Sequence, residues 1–267
     1  MNLLRLLHLC DSFFPLGAFA YSDGLETVTT LRRGGACSAP GADQGRPYDD
    51  LPLIADAGGL RAWIDVCLDE TFGRMEGPAA WQAWPAFRAA DWDRLVTLDE
   101  ELDALRPSSS ARRSSRAMGR RLLTTWQTLH PDPRIAHALT LAEKGAVPLF
   151  TGDDGPRNGV PPLFRGRDFG PALPIAFAGA CACSQIGRRP AVEAFAYTRL
   201  AATVSAAMRL MSIGQTDAHA LLARTLERVP AAVALIASRD APIESFAPAA
   251  DIAAMTQRYL HSRLFRS

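Results

Sequence analysis

The histidines, which could perform acid–base or metal chemistry, are few and widely spaced in this chain. The five histidines are His8, His130, His137, His219 and His261. His130 and His137 are close in number, but Pro131 and Pro133 interrupt any helix that would place them on one face. This spacing does not match a zinc-binding motif. We therefore expect no metal site here, and a helical metal-dependent hydrolase that uses these two histidines with acidic neighbours is kept as the alternative hypothesis.

The motifs of nucleotide, calcium and thiol chemistry are also incomplete. A P-loop requires a lysine after a glycine, whereas the only lysine, Lys144, precedes Gly145. The turn at 152–155 lacks the alternating oxygen ligands of a calcium loop. Cys181 and Cys183 lie two residues apart in a predicted helix and point to different faces, so we expect buried small side chains. The sequence therefore predicts no catalytic residue, no metal and no cofactor, and the chain is predicted not to be an enzyme.

Composition limits the classes of partner and the compartment. The chain has 267 residues, of which 48% are hydrophobic, and a net charge of +1. It can bury a sizeable core, and it carries no overall charge that would attract nucleic acid or an anionic membrane. Five scattered cysteines are typical of reduced thiols. Arg5 and Asp11 interrupt the leucine-rich N-terminus, which is therefore not a signal peptide, and no run is long enough to span a membrane. We expect a cytoplasmic protein.

The stretch from Pro190 to Asp217 predicts the helix around which the other elements are arranged. Abundant alanine and scarce β-branched alternation favour an all-α fold. We expect Gly214 to end this helix and Gln215-Thr216-Asp217 to cap the next one. Its apolar residues on one face are Phe195, Leu200, Val204, Met208 and Met211. The small residues opposite are Ala201, Ala202, Ser205 and Ala206. They could admit a helix of the same chain or of a second copy.

The remaining pattern predicts a single-domain helical bundle over residues 1–267 with roughly eight to ten helices. Two stretches rich in glycine and proline, 34–58 and 145–173, are predicted to be irregular insertions, and 260–267 to be a C-terminal tail. Breaks are expected near Gly77-Pro78 and Arg106-Pro107. The other helices are predicted at 2–10, from near Leu25, from Leu60 to about 130, at 174–187, at 216–239 and at 248–259.

Arginines form a stripe on the predicted helix that Ser108-Ser109-Ser110 opens. Arg112, Arg116 and Arg120 share one face because they are spaced by four residues. Such a stripe could bind phosphate groups. The balanced net charge and the absence of interleaved aromatic residues favour a face that is solvated or turned to an acidic partner.

Three segments of the chain carry a family resemblance. Ser205–Leu210 followed by Ile213–Asp217, the loop Asp11–Glu26, and the end Ser262–Phe265 together resemble the signatures of the urease accessory protein UreF family, in the same order. The pattern Ser115-Arg116, Gly119-Arg120, Leu122-Leu123 is similar to the matching helix of that family, where Gly119 would allow close helix contact. The positions that depart from the family pattern are Ala18, Asp23, Gln257, Arg258 and His261.

This resemblance implies a function without catalysis. UreF proteins are helical and dimerise, and they bind the accessory protein UreD, also called UreH. That complex recruits the GTPase UreG to the urease apoprotein, where the nickel centre is assembled, and regulation of the GTPase has been assigned to the family. By resemblance the chain is a nickel-insertion chaperone or adaptor that forms a homodimer within such a complex.

An adaptor needs anchoring side chains more than a pocket, and the three segments supply them. For the loop, a partner-facing role and a packing role both stay open. We expect the tail to be disordered in the isolated chain and to become ordered on the UreD-like partner. The candidate partner-binding residues are Phe13, Phe14, Pro15, Gly17, Phe19, Ser22, Gly24, Glu26, Arg209, Gly214, Gln215, Thr216, Asp217, Arg263, Leu264 and Phe265.

Overall fold

A computed structural model describes residues 2–15, 21–30, 54–145, 169–239, 242–260 and 263–265. Within these ranges the regular structure is helical, which confirms the all-α fold class. The helices are α1 (Asn2–Cys10), α2 (Leu25–Thr30), α3 (Ala57–Val66), α4 (Gly77–Ala89), α5 (Trp92–Leu105), α6 (Ser109–Leu129), α7 (Pro133–Gly145), α8 (Leu173–Cys183), α9 (Arg188–Leu210), α10 (Gln215–Leu226), α11 (Val229–Arg239) and α12 (Pro248–Thr256). A π-helix, Cys67–Glu76, joins α3 to α4, and a 3₁₀ turn, Gln257–Tyr259, follows α12. Most of the two predicted insertions lies outside the described residues.

Helix α9 is central, as predicted. Its side chains Phe195, Leu200 and Val204 are buried in a hydrophobic core that is shared by most of the other helices. The prediction that it continues to Gly214 is wrong. Met211 is already extended, with φ −127° and ψ 154°, and it is half-buried against the core, so the chain leaves the helix four residues earlier.

The start of α10 also differs from the prediction. Gly214 is the N-cap of α10, and Gln215, Thr216 and Asp217 form its first turn instead of its cap. The predicted single helix over 216–239 is two helices, because the chain turns at Glu227 and Arg228 between α10 and α11.

Helix α8 is buried on nearly all sides, from Leu173 to Ala182. It packs between α4 and α6, and glycines make both contacts close. A Cβ on Gly179 would lie 2.6 Å from the ring of Phe87, and one on Gly119 would lie 2.0 Å from the Pro171 carbonyl oxygen. The close packing expected at Gly119 is therefore confirmed. Helix α8 ends at Cys183, earlier than predicted, because Gln185 has a φ of 59°.

The predicted break at Gly77-Pro78 is wrong. The π-helix continues into α4, and the N–H of Gly77 donates to the Phe72 carbonyl oxygen, five residues back. A Cβ at Gly77 would lie 2.7 Å from Ile236 Cδ1, so glycine lets α11 pack against this junction. The continuous helical segment formed by α3, the π-helix and α4 begins at Ala57, three residues before the predicted start. It begins there because the Asp56 carboxylate accepts a hydrogen bond from the Gly59 N–H at 2.8 Å.

The arginine stripe of α6 is used largely inside the chain. Arg116 pairs with Asp103 at 2.9 Å and with Asp99 at 3.4 Å. Arg112 donates to the carbonyl oxygens of residues 106 and 107. The interpretation as a solvated or partner-facing stripe is therefore wrong for these two arginines. It fits Arg120 better, because this side chain is 49% exposed and forms only a long ion pair of 3.8 Å with the exposed Glu143.

Candidate functional site

The loop before α2 makes a tight turn that brings α2 against α12. Asp23 and Gly24 have positive φ values of 48° and 90°. A Cβ at Gly24 would lie 2.8 Å from the Ala254 backbone nitrogen, so only glycine fits here. Ser22 caps the turn: its carbonyl oxygen accepts from the Leu25 N–H at 3.0 Å, and its hydroxyl oxygen from the Glu26 N–H at 3.4 Å. The helix start predicted near Leu25 is confirmed.

This turn positions a buried carboxylate that binds the C-terminal tail. Glu26 is 2% exposed. Its Oε1 accepts a hydrogen bond from the Leu264 N–H, and its Oε2 accepts one from the Phe265 N–H at 3.3 Å. The Gln257 side-chain amide donates to Oε2 at 3.0 Å and to the Ser22 hydroxyl oxygen at 3.1 Å. Glu26 therefore joins the loop, the end of α12 and the tail through charge-assisted bonds.

The last turn of α9 covers the tail from the other side. The Arg209 guanidinium lies 4.5 Å from the ring centroid of Phe265, which is a cation–π contact. The Phe265 side chain is only 4% exposed, whereas that of Leu264 is 55% exposed. The expectation that the tail is disordered in the isolated chain is therefore wrong for residues 263–265, because their own chain supplies the binding groups.

The three signature segments thus meet, but not through all of their residues. Phe14 is buried and packs against His8 and Trp126, at centroid distances of 5.5 and 5.8 Å, so it supports the core. Phe13 is 93% exposed, and Pro15 is exposed beside it. Residues 214–217 are exposed at the start of α10. Gly17 and Phe19 lie outside the described residues.

Sequence reasoning missed the role of Gln257 and a neighbouring buried ion network. The Glu76 carboxylate pairs with Arg106 at 2.6 Å and with Arg199 at 3.0 Å, and Arg199 also pairs with Asp23 at 2.5 Å. Burial lowers the pKa of Arg199, but the two carboxylates outweigh it and raise that pKa. This network ties the loop to the π-helix, to the connection between α5 and α6, and to α9. The sequence around Glu76 gives no sign of these ion pairs, because the arginines that pair with it lie far away in the chain.

The histidines considered for metal chemistry lie against tryptophan rings, and the two cysteines are poorly ionised thiols. The His130 ring lies 4.4 Å from Trp126, and the His137 ring lies 4.5 Å from Trp92. The described residues contain no cluster of three or more His, Cys, Asp or Glu side chains that could hold a metal ion. Burial raises the pKa of Cys183 to about 12 and that of Cys181 well above its ordinary value, so both stay protonated.

Among the described helices, none combines the length and the apolar character needed to cross a membrane. The site itself is an arrangement of packing and hydrogen-bonding groups on a helical bundle. It contains a tail docked by a buried carboxylate and by an arginine, and several exposed apolar side chains around them. Such an arrangement can bind another chain.

Comparison with known proteins identifies the family. The UreF family profile matches residues 54–226. Curated proteins named "Urease accessory protein UreF" are similar over the whole chain. The relative from Methylibium petroleiphilum is 28% identical and is covered over 94% of its length, that from a Polaromonas species is 27% identical and covered over 95%, and that from Dechloromonas aromatica is 28% identical and covered over 98%. Because the match to the family profile covers more than half of the residues of the chain, the chain belongs to the UreF family.

Proposed function

We propose that this chain is a non-catalytic adaptor in urease maturation. It binds a UreD/UreH-type partner and recruits a UreG-type GTPase, whose activity it regulates, to the urease apoprotein for assembly of the nickel centre. The observation that carries this proposal is the meeting of the loop, the end of α9 and the tail at Glu26, Arg209 and Phe265. The name of the relatives, urease accessory protein, supports the same role.

The UreD-type partner is proposed to cover the apolar side chains on the elements that flank Glu26. Ile252 and Met255 lie three residues apart on the outer face of α12 and are 39% and 46% exposed. Leu264 of the docked tail is 55% exposed, and Phe246, just before α12, is 75% exposed. Large exposed apolar side chains of this kind mark interaction sites and serve as anchors.

A second copy of the chain is proposed to cover α1. Leu3, Leu4 and Leu7 are 67%, 69% and 57% exposed, and they lie on one face of that helix. An apolar face of this kind can pair with the same face of a second copy about a twofold axis, which buries the leucines of both chains. Light scattering should report a dimer for the natural chain and a monomer for Leu7→Asp.

The control for this test is Leu235→Asp, which changes a leucine that is 50% exposed on α11. It should stay dimeric. A Leu7→Asp variant that remains a dimer, with a melting temperature close to that of the natural chain, would rule out the α1 face as the dimer contact.

Co-purification with UreD-type and UreG-type proteins of the same genome tests the adaptor role. We expect a ternary complex with the natural chain and a weak one with a chain that ends at Ser262. Leu264→Asp separates recognition from tail docking, because it keeps the backbone N–H that Glu26 binds while charging an exposed side chain. It should lose the UreD-type partner, whereas Leu235→Asp should retain it.

Recovery of the same complex with all four chains would contradict the proposed surface. Absence of any complex, together with a stoichiometric bound metal ion after purification, would instead favour the metal-dependent hydrolase.

A further inference from the structure

A surface cleft lies between α6 and the docked tail. Its volume is about 510 Å³, which is within the range of small-ligand sites. The residues from α6 are spaced by three and four, so they form one face of that helix. The described residues that line the cleft are Tyr21, Ser110, Arg113, Ser114, Ala117, Arg263 and Phe265.

The cleft has an excess of positive charge. Arg113 and Arg263 contribute two guanidinium groups, and none of its described lining residues is acidic. Asp23 lines an adjacent crevice, but its carboxylate pairs with Arg199 at 2.5 Å and is directed to the buried network. The acidic partners of α6, Asp99 and Asp103, are held by Arg116 on a different face of the helix.

Arg113 differs from the neighbouring arginines of α6. Arg112 and Arg116 are held by carbonyl and carboxylate oxygens of the chain. Arg113 is exposed and forms no hydrogen bond or ion pair within the described part of the chain. The hydroxyl of Tyr21 also lacks a hydrogen-bond partner there. Two donors that line one cleft are therefore available to an external acceptor.

We propose that this cleft binds an oxyanion, a carboxylate or phosphate group, through the Arg113 guanidinium and the Tyr21 hydroxyl. A guanidinium presents its N–H donors in a planar fork that matches two oxygens of such a group. Arg263 adds a second positive charge from the tail side, so the site is complete only while the tail is docked on Glu26. The oxyanion can come from two sources, a free anion or the carboxylate side chain of a partner protein.

An NMR titration of the full chain tests this site at constant ionic strength. The probes are inorganic phosphate and the peptide acetyl-Gly-Glu-Gly-amide. We expect saturable shifts of α6 amides near Arg113. Arg113→Gln should weaken binding about tenfold or more, because a hydrogen bond to a charged group is lost. Tyr21→Phe should cause a smaller loss.

The matched control is Arg121→Gln, which removes an exposed arginine of α6 that does not line the cleft. It should bind both probes as the natural chain does. The probe that binds more tightly identifies the source of the oxyanion. Shifts that do not saturate with either probe, or equal affinity in the Arg113→Gln and Arg121→Gln variants, would overturn the proposal.

Discussion

Glu26→Gln should release the tail while leaving the bundle folded. The substitution keeps the size of the side chain but replaces one carboxylate oxygen by an amide NH₂. Within the described residues, the groups that face this carboxylate are donors: the N–H groups of Leu264 and Phe265 and the Gln257 amide. The new NH₂ must therefore face a donor, and at least one charge-assisted hydrogen bond is lost.

The loss of at least one hydrogen bond sets the size of the effect on tail docking. A hydrogen bond to a charged group contributes about 1.5–3 kcal/mol. Loss of one such bond shifts the equilibrium between docked and released tail by about 10- to 100-fold. Hydrogen exchange of the Leu264 and Phe265 amides measures this equilibrium directly, because these N–H groups are the ones that Glu26 binds. Both amides should exchange faster in Glu26→Gln by the same factor.

Glu227→Gln is the control, because Glu227 is exposed at the turn between α10 and α11. It should leave exchange at the tail unchanged. If the two tail amides stay as protected in Glu26→Gln as in the natural chain, while both variants melt cooperatively, Glu26 is not the group that holds the tail and the reasoning is refuted.

Three further outcomes test other contacts. Gly24→Ala should lower stability by about 1–3 kcal/mol in thermal unfolding, since its φ is 90° and a Cβ would meet Ala254 at 2.8 Å; an unchanged melting temperature would contradict this packing. Arg209→Gln should weaken tail docking by about 1 kcal/mol through loss of the contact with Phe265, and unaltered exchange would exclude that contact. Burial raises the pKa of Asp99 from 3.8 to about 6, so the folded chain binds this proton more tightly than the unfolded chain. The free energy of unfolding should therefore fall by up to about 3 kcal/mol as pH rises through that window. When this free energy is measured by urea unfolding at several pH values, Asp99→Asn should remove this part of its pH dependence; the same pH dependence in both chains would refute the reasoning.

Local signals were sufficient where a helix end depends on its own residues. The start of α6 was predictable because the Ser108 hydroxyl oxygen accepts from the Ala111 N–H at 3.3 Å, which is an ordinary N-cap. The central position of α9 followed from its apolar faces. Such features need no knowledge of distant residues, and the structure confirms them.

Local signals failed where distant packing decides the backbone. Gly77-Pro78 has the composition of a break, yet the π-helix carries the chain through it, with Phe72 and Ile236 packed against Gly77. Helix α9 ends at Leu210 because Met211 and Ile213 pack against the core, although the first glycine follows only at position 214. Neither outcome is encoded in the neighbouring residues.

The candidate site shows the same division. Glu26, Arg209 and Phe265 could each be singled out from their segments, but their contacts join residues up to 239 positions apart and no period or spacing predicts them. Gln257, which departs from the family pattern, is 3% exposed and donates to Glu26. The neutral amide of Gln257 is sufficient at this position, because it donates a hydrogen bond to the Glu26 carboxylate, which already carries the charge.

A tail that is held by its own chain changes which residues should matter for partner binding. A segment that orders only on binding loses part of its interaction energy to that ordering, and each of its anchors then contributes to affinity. Here Phe265 is already buried, so a partner meets a preformed surface and has less disorder to remove. We therefore expect partner affinity to depend most on the exposed Leu264. Phe265 and Glu26 should act indirectly, through the fraction of chains in which the tail is docked.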